Sequence, residues 1–246
     1  MNLSLIIPTY NEHENIKELI DKIKINLSQK DINYKIFIID DSSTKKTFDK
    51  LKDDINNIDY IFRGKKLGRG SAVLEGIKLA LKSKYTDTII EMDADLSHDP
   101  NEIFLNLKIF KEQDCDLLIA SRYLSKSKIV NWPISRIVLS FIANKLAKFF
   151  LKIPVSDYTN GFRFYSKNAA EHVVLNCGKI GDGFIVLSEI LLALHLNKFK
   201  IAETSTIFRN RIRGDSSVNF KLVIKSLIGL HKLYLIKNKK NVSNNK

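Results

Sequence analysis

"IIEMDADLSHDP", residues 89–100, decides the fold. An apolar start runs directly into Asp93-Ala94-Asp95, and His98, Asp99 and Pro100 follow at once. A short apolar run bounded by turn residues reads as a buried strand, so this one aims two carboxylates out of its end. In open parallel sheets, ligands bind beyond the carboxyl ends of the strands. The reading therefore depends on whether neighbouring strands end the same way.

They do. "LSLIIP" (3–8) precedes "TYNE", "YKIFIID" (34–40) runs into "DDSS", and "CDLLIAS" (115–121) leads into "SRY". A further strand is expected at "DYIF" (59–62). Between these runs lie amphipathic stretches. Residues 12–27 put Ile16, Leu19, Ile20, Ile23 and Leu27 at helical spacing, with Glu12 and Glu14 near the positive end of the helix. Residues 70–83 and 100–113 also read as helices, the latter with Pro100 in its first turn. Near-continuous apolar strands alternating with amphipathic helices imply an α/β fold with a mostly parallel central sheet covered on both faces.

The second half is less regular. Residues 133–151, 184–197 and 220–236 are expected to be helices, 199–208 a strand, 157–166 a loop, and 237–246 a frayed basic tail. The division expected is one catalytic domain over 1–219, followed by an amphipathic helix and tail over 220–246.

Composition bounds the partners. The 246-residue chain is 44% hydrophobic and carries a net charge of +13, from 40 Lys and Arg against 27 Asp and Glu. Such a surplus favours anionic partners, although an AT-rich coding sequence, which inflates Lys, Asn and Ile, accounts for part of it. No nucleic-acid-binding module or clustered aromatic platform is visible, so nucleic acid is not an expected partner. Cys115 and Cys177 lack metal or redox spacing and read as structural thiols. Neither a signal peptide nor a run of roughly 20 apolar residues is present in the sequence. Placement on the cytoplasmic side of a membrane, peripherally, is expected.

Two carboxylates one residue apart at a strand end, Asp93 and Asp95, suit a hard divalent cation, Mg²⁺ or Mn²⁺, whose shell substrate phosphates complete. A solvated turn is the competing reading, and it describes Asp99. Asp40-Asp41 repeats the pattern one βα unit earlier, either to accept hydrogen bonds from a base or ribose or to cap a turn. "LGRGSA" lacks the third glycine of a dinucleotide fingerprint and the ending of a P-loop, and reads as a helix-entry turn. Arg122, Arg136, Arg163, Arg209, Arg211 and Arg213 are the candidate phosphate forks. His98 reads as bonded within its own turn rather than as a ligand. Glu189, in an apolar helix, needs a partner, either one of the arginines or the site.

Taken together, "LIIPTYNEHENI", "IIDDSST", "KKLGRGSAVLEGI", "MDADLSHDP", "ASRY", "DYTNGFRFY" and "RIRGDSS" resemble the dolichyl-phosphate mannosyltransferase (polyprenyl-phosphate-mannose synthase) branch of the family 2 glycosyltransferases. The resemblance runs from about residue 3 to 220, in order and in spacing. It implies a GT-A fold and transfer, with inversion, of a hexose onto a polyprenyl (dolichyl-type) phosphate. The donor implied is GDP-mannose with Mg²⁺ or Mn²⁺. It also implies that Pro8, Tyr10, Glu12, Ile39 and Asp41 line the nucleoside pocket, and that Asp93, Ala94 and Asp95 hold metal and diphosphate. Arg122 and Arg211 would contact phosphates, and Arg136 with Arg122 would meet the lipid phosphate. Asp93, Asp95, Arg122 and Arg211 are thus the catalytic set. A UDP-sugar donor, another acceptor, or an inactive nucleotide-binding module remain alternatives.

The sequence departs from the pattern at Ser42, in place of a glycine, at Ser97, where some members have a metal-coordinating Gln, and at Ser217, in place of a Lys. Arg213 or Lys221 are the candidates to compensate for Ser217. The Lys-bearing helices 133–151 and 220–236 would lie at a membrane interface, alone or beside a membrane-anchoring partner subunit, or else simply pack on the core.

Overall fold

The computed structural model describes residues 1–28, 32–53, 56–83, 86–211, 213 and 220–244, and gives no side-chain placement for 220–223 and 241–244. The chain order is β1 (Asn2–Thr9), α1 (Ile16–Ser28), β2 (Asn33–Asp40), α2 (Lys46–Asp49), β3 (Ile58–Phe62), α3 (Arg69–Ala80), β4 (Thr88–Glu91), α4 (Glu102–Glu112) and β5 (Leu117–Ser121). It continues with β6 (Lys128–Val130), α5 (Ile134–Leu151), β7 (Arg163–Ser166), α6 (Lys167–Asn176), α7 (Ile185–Leu196), β8 (Ile201–Ser205), β9 (Ile207–Arg209) and α8 (Phe220–Asn244).

Seven strands form one sheet in the order β3-β2-β1-β4-β7-β5-β8. β1 pairs parallel with β2 and β4, β2 with β3, and β5 with β8. The sheet is mostly parallel, and "TYNE", "DDSS", "DAD" and "SRY" therefore emerge from one edge.

Strand alternation divides the core in two. Ile6, Phe37, Ile39, Ile89, Leu117 and Ile119 face the layer of α3, α5, α6, α7 and α8. Leu3, Leu5, Ile7, Ile36, Ile38, Ile90 and Leu118 face the other side, where α1 contributes Ile16, Leu19, Ile20, Ile23 and Leu27 and α4 contributes Ile103 and Leu107. On α3 the helix approaches closely: a Cβ on Gly76 would lie 2.3 Å from Ile6 Cγ2.

Three expectations are corrected. Residues 157–166 are not all loop: Arg163–Ser166 is β7, inserted antiparallel between β4 and β5. The segment is only four residues long, but it obeys the sheet period: Phe162 and Phe164 enter one core and Tyr165 the other. The strand expected over 199–208 breaks at Thr206, so β8 stays in the main sheet while β9 pairs with β6 in a two-stranded ribbon. The basic tail does not fray at residue 237, since α8 continues to Asn244. Among the described residues, no helix is long and apolar enough to cross a membrane.

Cys115 and Cys177 are buried and unbridged, and burial pushes the Cys177 thiol up to about 12 and that of Cys115 to about 11. Neither is a nucleophile at neutral pH.

Candidate active site

Asp93, Asp95, Arg122, Arg136 and Arg211 come together around one cavity of about 510 Å³ beyond the carboxyl ends of β4 and β5. Its polar end carries these five residues and Ser97. Its other walls are mainly Trp132, Leu139, Ala143 and Leu146 from the α5 side, Ile185 at the start of α7, Phe208 of β9, and Leu227 and Leu230 of α8, with serines of α5, α7 and α8 among them.

The carboxylates are held differently. Asp93 Oδ1 accepts from Arg69 Nε and Nη2 at 2.8 and 2.6 Å, while Arg69 Nη1 donates to Glu91 Oε1 at 2.7 Å. Glu91 is fully buried at the end of β4, and Tyr165 Oη donates to its second oxygen at 2.7 Å. Enclosure by protein works against ionisation of Asp93, but the Arg69 guanidinium, with a smaller contribution from Arg122, outweighs it and holds the carboxyl below its ordinary range. Asp95 Oδ1 accepts from the Ser97 amide at 3.1 Å, and Oδ2 lies 3.1 Å from Arg211 Nη2. Arg211 also reaches within 3.9 Å of Glu12 Oε1. Burial pushes Glu12 up; a hydrogen bond from Asn15 opposes it, neighbouring Asp95 reinforces it, and the balance leaves Glu12 raised.

Arg69 was hidden in the sequence, where "LGRGSA" reads only as a helix entry. Its signal lies in the surrounding glycines. A Cβ on Gly161 would sit 1.9 Å from Arg69 Nη2 and 3.3 Å from Asp93 Oδ1. Gly68, at φ +103°, allows the backbone to approach Asp182. Arg69 cannot swing aside without leaving Asp93 or Glu91, so Gly161→Ala is expected to cost about 1–3 kcal/mol. That lowers the melting temperature by about 5 °C. An unchanged calorimetric midpoint would show that the fork has room to move.

The arginines differ in how they are committed. Arg122 Nε and Nη2 grip Asp157 at 2.7 and 2.8 Å, its backbone amide donates to the same carboxylate at 3.0 Å, and Nη2 also reaches Thr159 Oγ1 at 2.6 Å. Its guanidinium lies 5.2–5.6 Å from the ring centroids of Tyr123, Trp132 and Phe208. Arg122 therefore presents only the remainder of its fork to the cavity. Arg136 stacks on Trp132 at 4.1 Å and donates to Asn210 Oδ1 at 3.1 Å. It has no carboxylate in salt-bridge range among the described residues. Burial, then neighbouring Arg211, lowers its affinity for a proton.

The other candidate cations are spent on structure. Arg163 is fully buried and donates to the carbonyls of Asn160, Leu187 and Tyr158. Arg209 bonds Asp99, and Arg213 bonds the Glu14 carbonyl and Glu18. Ser217 lies outside the described residues, as does the side chain of Lys221. Among the described residues Glu189 meets no arginine; it accepts from the amides of Gly178 and Lys179 at 3.0 and 3.1 Å, and burial raises its pKa. Asp99 caps its own turn through the Asn101 amide.

The nucleoside-side residues lie at the ends of β1 and β2. Tyr10 is 40% exposed with Lys66 Nζ 4.0 Å over its ring. Pro8 and Ile39 are register partners, and Ile39 is fully buried in the core. Asp41 is committed inward, to Arg63 and to the amides of Leu67 and Gly68 at 2.9 and 2.8 Å. Asp40 bonds Ser42 and Tyr60. Ser42 has a definite role in its turn: its hydroxyl donates to Asp40 and accepts the Asn11 amide at 2.8 Å.

The oxygens at the polar end suit a hard cation. Asp93 and Asp95 supply carboxylates, and the buried Ser97 hydroxyl has no hydrogen-bond partner among the described residues. No group of three acidic, histidine or cysteine side chains gathers there or elsewhere among the described residues, so the protein alone does not fill a coordination shell.

Comparison with known proteins agrees with this geometry. Residues 4–174 match the Glycosyl transferase family 2 profile. The chain is 35% identical over 237 residues to a dolichol-phosphate mannosyltransferase of Pyrococcus furiosus, covering 95% of this chain but 64% of that relative's length. It is 31% identical over 220 residues to a polyprenol monophosphomannose synthase of Mycolicibacterium smegmatis, covering 87% of this chain and 80% of the relative. In fold it is similar to the glucosyl-3-phosphoglycerate synthase of Mycobacterium tuberculosis crystallised with Mn²⁺, UDP-glucose and phosphoglyceric acid. The TM-score is 0.68 at 16% identity, over 95% of this chain and 79% of that one.

Proposed function

The chain belongs to glycosyl transferase family 2 and is a GT-A-fold glycosyltransferase, and from that premise we propose that it transfers mannose from GDP-mannose to a polyprenyl phosphate, inverting the anomeric centre. The observation that carries this reading is the cavity itself. It joins arginines and the Asp93–Asp95 pair to a wall made mostly of aliphatic and aromatic side chains of α5, α7, β9 and α8. That is the shape of a site for a phosphate joined to a hydrocarbon chain. The named relatives support the choice of lipid and sugar.

Asp93 and Asp95, with Ser97, would hold Mg²⁺ or Mn²⁺, which neutralises charge on the leaving diphosphate when bound. The protein supplies the rest. Tyr10 offers a ring face at the nucleoside side, Arg211 places a guanidinium beside Asp95 for the diphosphate, and Arg136 offers its fork to the acceptor phosphate. A phosphate oxygen is already anionic at neutral pH, so alignment takes the place of a general base. This fits a site whose histidine, His98, is fully buried.

The outer face of α5 exposes Ile134, Val138, Phe141, Ile142 and Phe149 beside Lys145 and Lys148. That is the composition of a helix lying in a membrane interface. Contact with a membrane surface through this face suits an enzyme whose acceptor resides in a bilayer.

The test is transfer of label from GDP-mannose into the organic phase with polyprenyl phosphate and Mn²⁺. Ala143→Trp, which narrows the apolar half, is expected to raise the KM for polyprenyl phosphate about tenfold or more, since several CH₂ groups lose their burial. Protection of the protein by GDP and Mn²⁺ against heat should be unchanged. Transfer from UDP-sugars alone, or to a water-soluble acceptor alone, would reassign the substrates.

A further inference from the structure

His98 is fully buried and lies outside the set of residues expected to touch substrate, yet each ring nitrogen has a fixed partner. The Asp93 backbone amide points at Nδ1 over 3.2 Å, and Nε2 lies 2.9 Å from Asn160 Oδ1. Tautomers and amide orientations follow from the partners, and here both ends are pinned by backbone. An amide N–H can only donate, so Nδ1 must be bare. Asn160 Nδ2 donates to the Ala120 carbonyl, so its Oδ1 faces the ring and Nε2 must carry the proton. Phe162 stacks on the imidazole at 5.3 Å and Phe208 meets it edge-on at 5.2 Å, which fixes the ring plane.

The two anchors belong to the two halves of the site. Asp93 opens the loop that carries both cation-facing carboxylates. Ala120 lies two residues before Arg122, and the Asn160 amide bonds the same Asp157 that grips Arg122. The Asp93 loop also needs restraint: Leu96 sits at φ +61°, a left-handed conformation unfavourable for a branched side chain. Two hydrogen bonds bracket it, Ser97 amide to Asp95 Oδ1 and Asp93 amide to His98 Nδ1.

We propose that His98 is a positioning residue, a neutral Nε2–H imidazole that clamps the Asp93–Asp95 loop to the Asn160–Arg122 side of the cavity. It sets the cation-facing oxygens without ligating a cation. The claim about the cation rests on the metal reading given above; the claim about the ring does not.

The two are tested separately. On metal-free protein, ¹⁵N NMR of His98 should report a protonated Nε2 and a bare Nδ1; the opposite tautomer overturns the clamp. Mn²⁺ affinity in the presence of GDP, read by electron paramagnetic resonance, should then rank three variants. His98→Asn keeps the acceptor for the Asp93 amide but releases Asn160, and should bind several-fold more weakly than wild type. His98→Gln, which keeps only the donor toward Asn160, and His98→Phe, which keeps only the stacking, should each bind about tenfold or more weakly. A residue serving bulk packing alone would make Phe the mildest change, and that order overturns the proposal. Wild-type protein that holds no Mn²⁺ at all would sink the metal reading instead, with the tautomer still deciding the ring.

Discussion

Asp95→Ala is expected to lower the proposed mannosyl transfer by at least about 10²-fold, the scale seen when a group stabilising developing charge is removed from a preorganised site. The side chain has two duties in the structure. One oxygen takes the Ser97 amide and fixes the loop after β4; the other faces Arg211 at 3.1 Å. Removing the carboxylate deletes one of the two acidic side chains proposed to hold a divalent cation and takes from Arg211 its ion-pair partner at 3.1 Å. Asp95→Asn separates these effects. It preserves shape and an oxygen for the Ser97 amide, but withdraws the charge. It should therefore retain the wild-type melting temperature while losing the protection that GDP with Mn²⁺ gives against heat. If Asp95→Asn transfers mannose at the wild-type rate and keeps that protection, Asp95 is not holding a cation, and the electrostatic account of the leaving group falls.

The strand-end carboxylates were legible because their signal is local. Each of β1, β2, β4 and β5 is a short apolar run ending in polar residues, and parallel pairing alone brings those ends to one edge. The sequence could not show where each carboxylate turns. Asp41 and Asp95 look alike in the chain, but Asp41 meets the backbone amides of a glycine turn 26 and 27 residues away and Asp95 meets the cavity. β7 was missed for a related reason. Its Arg163 suggests a solvent-facing loop, and only the folded chain supplies the three carbonyls that let a guanidinium be buried inside a sheet. Arg69 and Asp157 escaped notice because their partners lie 24 and 35 residues away, and no periodicity carries information over that distance. The glycine at 161 was the one local trace of Arg69, and it reads equally well as a turn residue.

Asp157→Asn should be the most destabilising of these substitutions. Asp157 is fully buried and Arg122 nearly so. The carboxylate takes both forks and the amide of Arg122, and also the amides of Thr159 and Asn160 at 3.1 and 3.0 Å. Removing its charge strands a buried guanidinium, a loss of about 3–5 kcal/mol. For a chain of this size that is about 10 °C or more in melting temperature. The pH dependence has a definite sign. Burial opposes ionisation of Asp157, but the Arg122 ion pair and the amide bonds outweigh it, so the folded state holds this carboxyl below its ordinary value. A depressed carboxyl stabilises the fold fully above its unfolded pKa, about 3.9, and loses that contribution as pH falls through the folded value. The gap in melting temperature between wild type and Asp157→Asn should be constant from pH 8 to about 5 and should narrow below about 4. Scanning calorimetry of both proteins across that range is the check. A gap under about 2 °C at pH 7, or one that widens in acid, would mean that Arg122 finds another partner when Asp157 is neutral. Transfer should fall with stability in the same variant, because the unpaired Arg122 is no longer held against Trp132 and Phe208 at the wall proposed for the acceptor phosphate. Thr159→Ala, which removes the hydroxyl that bonds Arg122, Asn144 and Asp157 but leaves the ion pair, should shift activity less than Asp157→Asn.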